Sequence, residues 1–181
     1  MRIILGSNSP RRKELLEHLG FRFEVRSVAF EELINDQLAH DEIPCDIVRQ
    51  KLDKMADSQA ADELLICADT LVFHEGKPLG KPTSTAEAVE MLKRLSGKEH
   101  EVITAVGITY KGQRIIFKEH TAVHFEVLSI DDINRYVNNF NPLDKAGSYG
   151  IQDWIGLIGV SRIEGSYTNV MGLPTHRLYQ E

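Results

Sequence analysis

The segment Gly6-Ser7-Asn8-Ser9-Pro10-Arg11-Arg12 is a turn of small residues leading from a short apolar run into a helix start. A turn of this kind offers backbone N–H groups and hydroxyls to an anion, at the positive end of the helix dipole. Arg11 and Arg12 stand in the first helical turn, where each cation is disfavoured by ~0.3–1 kcal/mol. A bound phosphate reverses that sign, so the broken local rule points to an anion site. Arginines that are solvated, or paired with acids elsewhere, satisfy the same pattern. The segment also lacks the spaced glycines and Gly-Lys-Ser/Thr ending of a P-loop.

The second chemical candidate is Asp69. It closes the apolar run Leu64-Leu65-Ile66-Cys67-Ala68, which reads as a strand, and in α/β proteins chemistry collects beyond the carboxyl ends of strands. An Asp after an apolar run is also a common turn former. Its company favours chemistry: Thr70 adds a hydroxyl, Lys81 lies a short hairpin away, and Lys54 projects from the preceding helix. Further on, Asp144-Lys145 precedes the glycine-rich Gly147-Ser148-Tyr149-Gly150-Ile151-Gln152, which also reads as a structured loop. The seven histidines show no metal-ligand spacing.

These residues need elements to position them. Arg2–Leu5 reads as a buried strand, followed by a helix from Pro10 to about Leu19 that Ser9 can cap and Gly20 can end. Phe21–Arg26 alternates like a half-buried strand. A second helix runs from Pro44 to about Ala60, with Ile47, Val48 and Met55 inward. Leu71–Phe73 followed by Glu75-Gly76-Lys77 suggests a hairpin, and Ser84 with Glu87 forms a capping box for a helix to about Leu95. Glu101–Tyr110 and Arg114–Val127 read as long strands joined at Lys111-Gly112, and Ser129 with Asp132 caps a further helix to about Phe140. The last forty residues read as loop and strand. The pattern is an α/β fold with a mixed sheet and flanking helices, in one domain over 1–181.

Composition bounds the function. The 181 residues carry 27 acids against 21 Lys and Arg, a net charge of -6, which disfavours general binding to duplex nucleic acid. No stretch is long and apolar enough for a membrane-spanning helix, and no secretory signal opens the chain. Cys45 and Cys67 have no CxxC spacing and read as thiols in a reducing compartment.

In its motifs the chain resembles the Maf family of nucleotide pyrophosphatases. The resemblance spans nearly the whole length: Ser7-Asn8-Ser9-Pro10-Arg11-Arg12, Ala68-Asp69-Thr70, Gly80-Lys81-Pro82, Leu95-Ser96-Gly97, Asp144-Lys145-Ala146-Gly147, Tyr149-Gly150-Ile151-Gln152, Gly165-Ser166-Tyr167 and Gly172-Leu173-Pro174. It implies an elongated fold with a cleft between two lobes, a cytoplasmic homodimer, and metal-dependent cleavage between the α- and β-phosphates of a nucleoside triphosphate. By motif, Ser7, Arg11, Arg12, Lys54 and Lys81 would bind the substrate and Asp69 would accept the proton. Arg11, Thr70 and Gln152 match positions linked to substrate choice. Glu32 matches an acid near the metal. Asp153 follows Gln152 where many relatives have Gly.

The chemistry agrees with that resemblance. Magnesium or manganese takes oxygen ligands, commonly one or two carboxylates plus phosphate oxygens, which Asp69 and Glu32 would supply. A carboxamide such as Gln152 matches the N3–H and a carbonyl of uracil or thymine, whereas the related branch acting on 7-methyl-GTP carries Glu there. The expected substrates are therefore dTTP and UTP, including modified pyrimidine triphosphates. The rival is a regulatory module that binds a nucleotide and acts on division or repair; released pyrophosphate separates the two.

Overall fold

The computed structural model describes residues 1–28, 33, 35 and 37–181. Its seven-stranded sheet has the order β2-β1-β3-β5-β6-β7, with β4 paired to β3 off that path. The strands are β1 (Arg2–Leu5), β2 (Phe23–Val25), β3 (Glu63–His74), β4 (Lys77–Leu79), β5 (Glu99–Tyr110), β6 (Gln113–Phe125) and β7 (Val160–Glu164). The helices are α1 (Pro10–His18), α2 (Ile43–Ala56), α3 (Thr85–Leu95), α4 (Ile130–Phe140), α5 (Trp154–Gly159), α6 (Tyr167–Met171) and α7 (Thr175–Gln180). The chain divides into two compact units, one formed by Met1–Thr70, Thr104–Glu119 and Gly172–Glu181, the other by Leu71–Ile103 and His120–Met171.

In the first unit, β1 lies between β2 and β3 and is parallel to both, so α1 and α2 serve as the crossover connections such pairing requires. One face of α2 supplies the core: Cys45, Val48, Leu52 and Met55 pack with Ile4, Leu65, Cys67 and Ala105. Leu65 and Cys67 alternate along β3, which sets one face of that strand toward α2. Gly107 allows the close approach, since a Cβ there would meet Leu52 and Val48 at 2.6 Å. At the start of β3, Glu63 is 1% exposed and receives Arg26 through two 2.8 Å bonds. Those bonds, with a further one from the Ala60 N–H, lower its carboxyl to about 2.

In the second unit, β3 turns back into β4 at Glu75-Gly76, both at positive φ, as hairpin turns demand. Helix α3 starts at Ser84, whose hydroxyl accepts the Glu87 N–H, and α4 starts at Ser129, whose hydroxyl accepts the Asp132 N–H. His100, Phe125 and Tyr149 form a buried aromatic cluster, with His100 Nε2 2.6 Å from the Tyr149 hydroxyl. Burial, helped by His74 and His124, lowers His100 to about 3, so the ring is neutral.

Three readings of the sequence need correction. Strand β3 does not end at Ala68: it continues for 12 residues, and Asp69 and Thr70 lie inside it. The polar pair at the end of an apolar run looks like a strand terminus, but neighbouring strands continue the ladder past it. Ser9 stands at the start of α1 without a side-chain cap bond; its own N–H instead donates to the Ser7 hydroxyl at 3.2 Å. The last forty residues contain the short helices α5, α6 and α7, too brief to show a 3.6-residue apolar period.

Candidate active site

Register decides where the chemistry sits. β1 ends at Leu5 opposite Ile66, and the Gly6 N–H donates to the Ile66 carbonyl at 2.7 Å. From Cys67 onward β3 therefore runs beyond β1, and the turn 6–9 passes at that point. Gly6 is held there by crowding: a Cβ would lie 2.6 Å from Cys67 Sγ and 2.8 Å from Met55 Sδ.

The turn and α1 bring Arg12 onto β3. Its guanidinium donates to the Ser7 hydroxyl at 3.1 Å, the Thr70 hydroxyl at 3.1 Å and the Gly172 carbonyl at 2.8 Å. Thr70 in turn shares a 2.9 Å bond with Thr104, which is fully buried. A planar fork with several donors suits this task, and three fixed contacts hold the cation in one orientation. Gly172 adopts φ +110°, and a Cβ there would lie 3.3 Å from the Thr70 hydroxyl, so its backbone can approach only as glycine.

The acid comes from the adjacent residue. Asp69 is 7% exposed and sits on the face of β3 that α2 covers. Lys51 of α2 donates to its Oδ1 at 2.5 Å and to the Ala68 carbonyl at 3.4 Å. Oδ2 of Asp69 is buried without a hydrogen-bond partner. By strand alternation Asp69 and Thr70 leave β3 on opposite faces, yet their Cα atoms are only ~3.8 Å apart. Arg12 and Lys51 are also close enough to Cys67 to oppose the burial that raises its thiol to about 11.

Ser7, Arg12 and Thr70 are thus in contact in the first unit, and Asp69 adjoins Thr70 along β3 with its side chain on the other face. Arg11 is half-buried on the same helical turn. Lys54 is exposed near the end of α2, one helical turn past Lys51. Lys51 is the functional candidate that sequence reasoning missed. The signal was the spacing of Val48, Leu52 and Met55, which places position 51 beside the buried stripe and position 54 further round the helix. Lys81 and Gln152 belong to the second unit, where Lys81 is exposed and Gln152 is half-buried. Glu32 lies outside the described residues.

A divalent cation fits these residues in a limited way. Among the described residues no group of three His, Cys, Asp or Glu could cage a metal. The buried, unpartnered Oδ2 of Asp69 is one hard oxygen donor. That matches magnesium, which keeps waters and substrate phosphates as most of its ligands. No helix among the described residues is long and apolar enough to cross a membrane.

A parallel βαβ start, a forked arginine at the turn after the first strand and a buried acid on the neighbouring strand define an α/β protein with a charged cluster in its first unit. The chain belongs to the Maf family: the model described as Maf-like protein matches residues 2–181. A Bacteroides fragilis (strain YCH46) protein named dTTP/UTP pyrophosphatase is 49% identical over 181 residues, covering 99% of this chain and 94% of that protein. The Phocaeicola vulgatus protein of the same name is 50% identical with the same coverage. That of Christiangramia forsetii is 44% identical over 178 residues, covering 98% and 91%. Among solved structures, the Staphylococcus aureus Ham1 protein is similar over 69% of this chain and 72% of that one, at 12% identity and TM-score 0.49.

Proposed function

We propose that this chain hydrolyses dTTP and UTP, and pyrimidine triphosphates modified on the ring, to the monophosphate and pyrophosphate. The observation that carries the reading is the buried Asp69 carboxylate, with Lys51 on one oxygen and the other without a partner, one residue along β3 from the Arg12–Thr70 contact. The names of the relatives point to the same substrates.

In this mechanism Arg12, fixed by Ser7, Thr70 and Gly172, and Arg11 beside it take phosphate oxygens of the triphosphate. Water attacks the α-phosphorus in line with the α–β bridging oxygen. The P–O bond to that oxygen breaks and pyrophosphate leaves with the electron pair. Asp69 accepts the proton of the attacking water through Oδ2, the oxygen Lys51 leaves open. Lys51 keeps the carboxylate oriented and adds positive charge where phosphoryl charge develops. Asp69, with Glu32 as a second acid, would hold a divalent metal, which would supply Lewis-acid polarisation of the phosphates and a lower pKa for bound water. Lys54 and Lys81 are further phosphate cations, and Gln152 reads the base through the N3–H and a ring carbonyl. The working form in this reading is a cytoplasmic homodimer.

The test is pyrophosphate release by the purified protein from a panel of natural and modified triphosphates, with magnesium or manganese and without either. Stoichiometric pyrophosphate and monophosphate from dTTP and UTP, absent without metal, is the expected result. No pyrophosphate from any triphosphate, with binding retained, overturns the enzyme and leaves a nucleotide-binding module.

A further inference from the structure

Gln152 does not hold its carboxamide alone. Its Nε2 donates to Asp153 Oδ1 at 3.1 Å, while its Oε1 is buried and has no hydrogen-bond partner. The Asp153 carboxylate is itself fixed from the other side. The Tyr136 hydroxyl lies 2.7 Å from Asp153 Oδ2 and also receives the Gly150 N–H at 3.1 Å. Because the amide of Gly150 occupies the phenol oxygen as donor, the phenol proton is directed to Asp153. Burial and this bond to Asp153 both raise the Tyr136 pKa well above its ordinary value, so the hydroxyl keeps its proton. The Lys145 ammonium stands 3.8 Å from the same Oδ2. Gly150 provides the space: a Cβ there would lie 2.6 Å from Asp153 Oδ2 and 2.8 Å from Gln152 Nε2.

A carboxamide usually presents either end, since its oxygen and nitrogen differ little in shape. A carboxylate removes that freedom, because it accepts and cannot donate. Turning the Gln152 oxygen toward Asp153 would set two acceptors against each other. The oxygen must therefore be the end that remains, and it remains as a buried acceptor in want of a donor.

We infer that Asp153, braced by Tyr136, is a positioning residue that sets the polarity of Gln152, so that the site favours a base whose N3 bears hydrogen over one whose N3 is a bare acceptor. This rests on the proposed activity and on Gln152 as the reader of the base, and deepens both. Uracil and thymine donate N3–H to Oε1, and the second hydrogen of Nε2 is left for a ring carbonyl. Cytosine turns an N3 lone pair toward the same oxygen and is repelled. The discrimination against cytosine belongs to the Asp153–Gln152 pair rather than to Gln152 by itself.

The experiment measures kcat/KM for dTTP, dCTP and N3-methyl-dTTP, by pyrophosphate release, in the wild type, Asp153→Asn and Tyr136→Phe, with a melting curve for each. Asparagine can donate as well as accept, so Asp153→Asn frees the carboxamide to turn. The dTTP:dCTP ratio is expected to fall about tenfold or more, the worth of one hydrogen bond. Tyr136→Phe shifts the ratio the same way and by less, and the wild type handles N3-methyl-dTTP poorly. A folded Asp153→Asn variant with an unchanged ratio overturns the positioning role while the activity stands. Should both variants unfold, the wild type decides: turnover of N3-methyl-dTTP equal to that of dTTP means N3–H is not read, and the inference falls. A wild type that releases nothing from dTTP removes the proposed activity and this inference together.

Discussion

Lys51 Nζ lies 2.5 Å from Asp69 Oδ1, joining the middle of α2 to the middle of β3. Both side chains are largely withdrawn from water, at 14% and 9% exposure, and the second carboxylate oxygen has no partner. A folded chain that spends a buried acid and a buried lysine on one contact, and leaves one acceptor open, has a carboxylate ready for a ligand or a proton.

Separate variants divide catalysis from stability at this pair. Asp69→Asn is expected to lower pyrophosphate release by roughly 10²–10⁴. Lys51→Met leaves a buried carboxylate without its counter-charge and is expected to lower stability by about 3 kcal/mol. The double variant recovers most of that stability in denaturant titrations but no activity. A Lys51→Met protein as stable as the wild type would refute the coupling.

Arg12 makes its three contacts through the geometry of a guanidinium. Arg12→Lys keeps the charge and loses the fork, so KM for the triphosphate is expected to rise about tenfold or more, the equivalent of one charged hydrogen bond. Gly172→Ala moves the same carbonyl by forcing a side chain into φ +110° and is expected to raise KM in the same direction. Steady-state kinetics on both variants check this.

The metal requirement is read by chelation. Removal of divalent ions is expected to abolish turnover, and magnesium or manganese to restore it. Asp69→Asn raises the metal concentration needed for half-maximal recovery, since it removes one of the few carboxylates available. A variant with residual activity and an unchanged metal requirement would place the ion elsewhere.

Two strongly shifted groups contribute to the acid limb of stability. His100 is lowered from 6.5 to about 3, so the folded state refuses a proton that the unfolded chain accepts. Its contribution is complete above pH 6.5 and is lost as pH falls toward 3, at up to ~1.4 kcal/mol per pH unit. Glu63 is lowered from 4.5 to about 2, so its contribution is complete above pH 4.5 and is lost between there and 2. His100→Gln is expected to flatten the denaturation free energy between pH 6.5 and 4.5. Arg26→Gln lowers stability at neutral pH and converges on the wild type below pH 4.5.

Much of this protein was legible in its residues. Pro10 and the serines at 84 and 129 mark helix starts, Lys111-Gly112 marks the turn between the two long strands, and the small residues from Gly6 to Ser9 mark the turn between the first strand and α1. These signals are local: capping, turn geometry and charge at a helix start act within a few residues of one another. The tertiary structure alone decided that Lys51 is the lysine on Asp69, because that depends on the rotation of α2 against β3. It alone decided that β3 continues through Asp69, because the ladder is supplied by strands distant in sequence. It also bound Tyr136, Gly150, Gln152 and Asp153 into one hydrogen-bonded set, whose polarity follows from contacts that no spacing along the chain encodes.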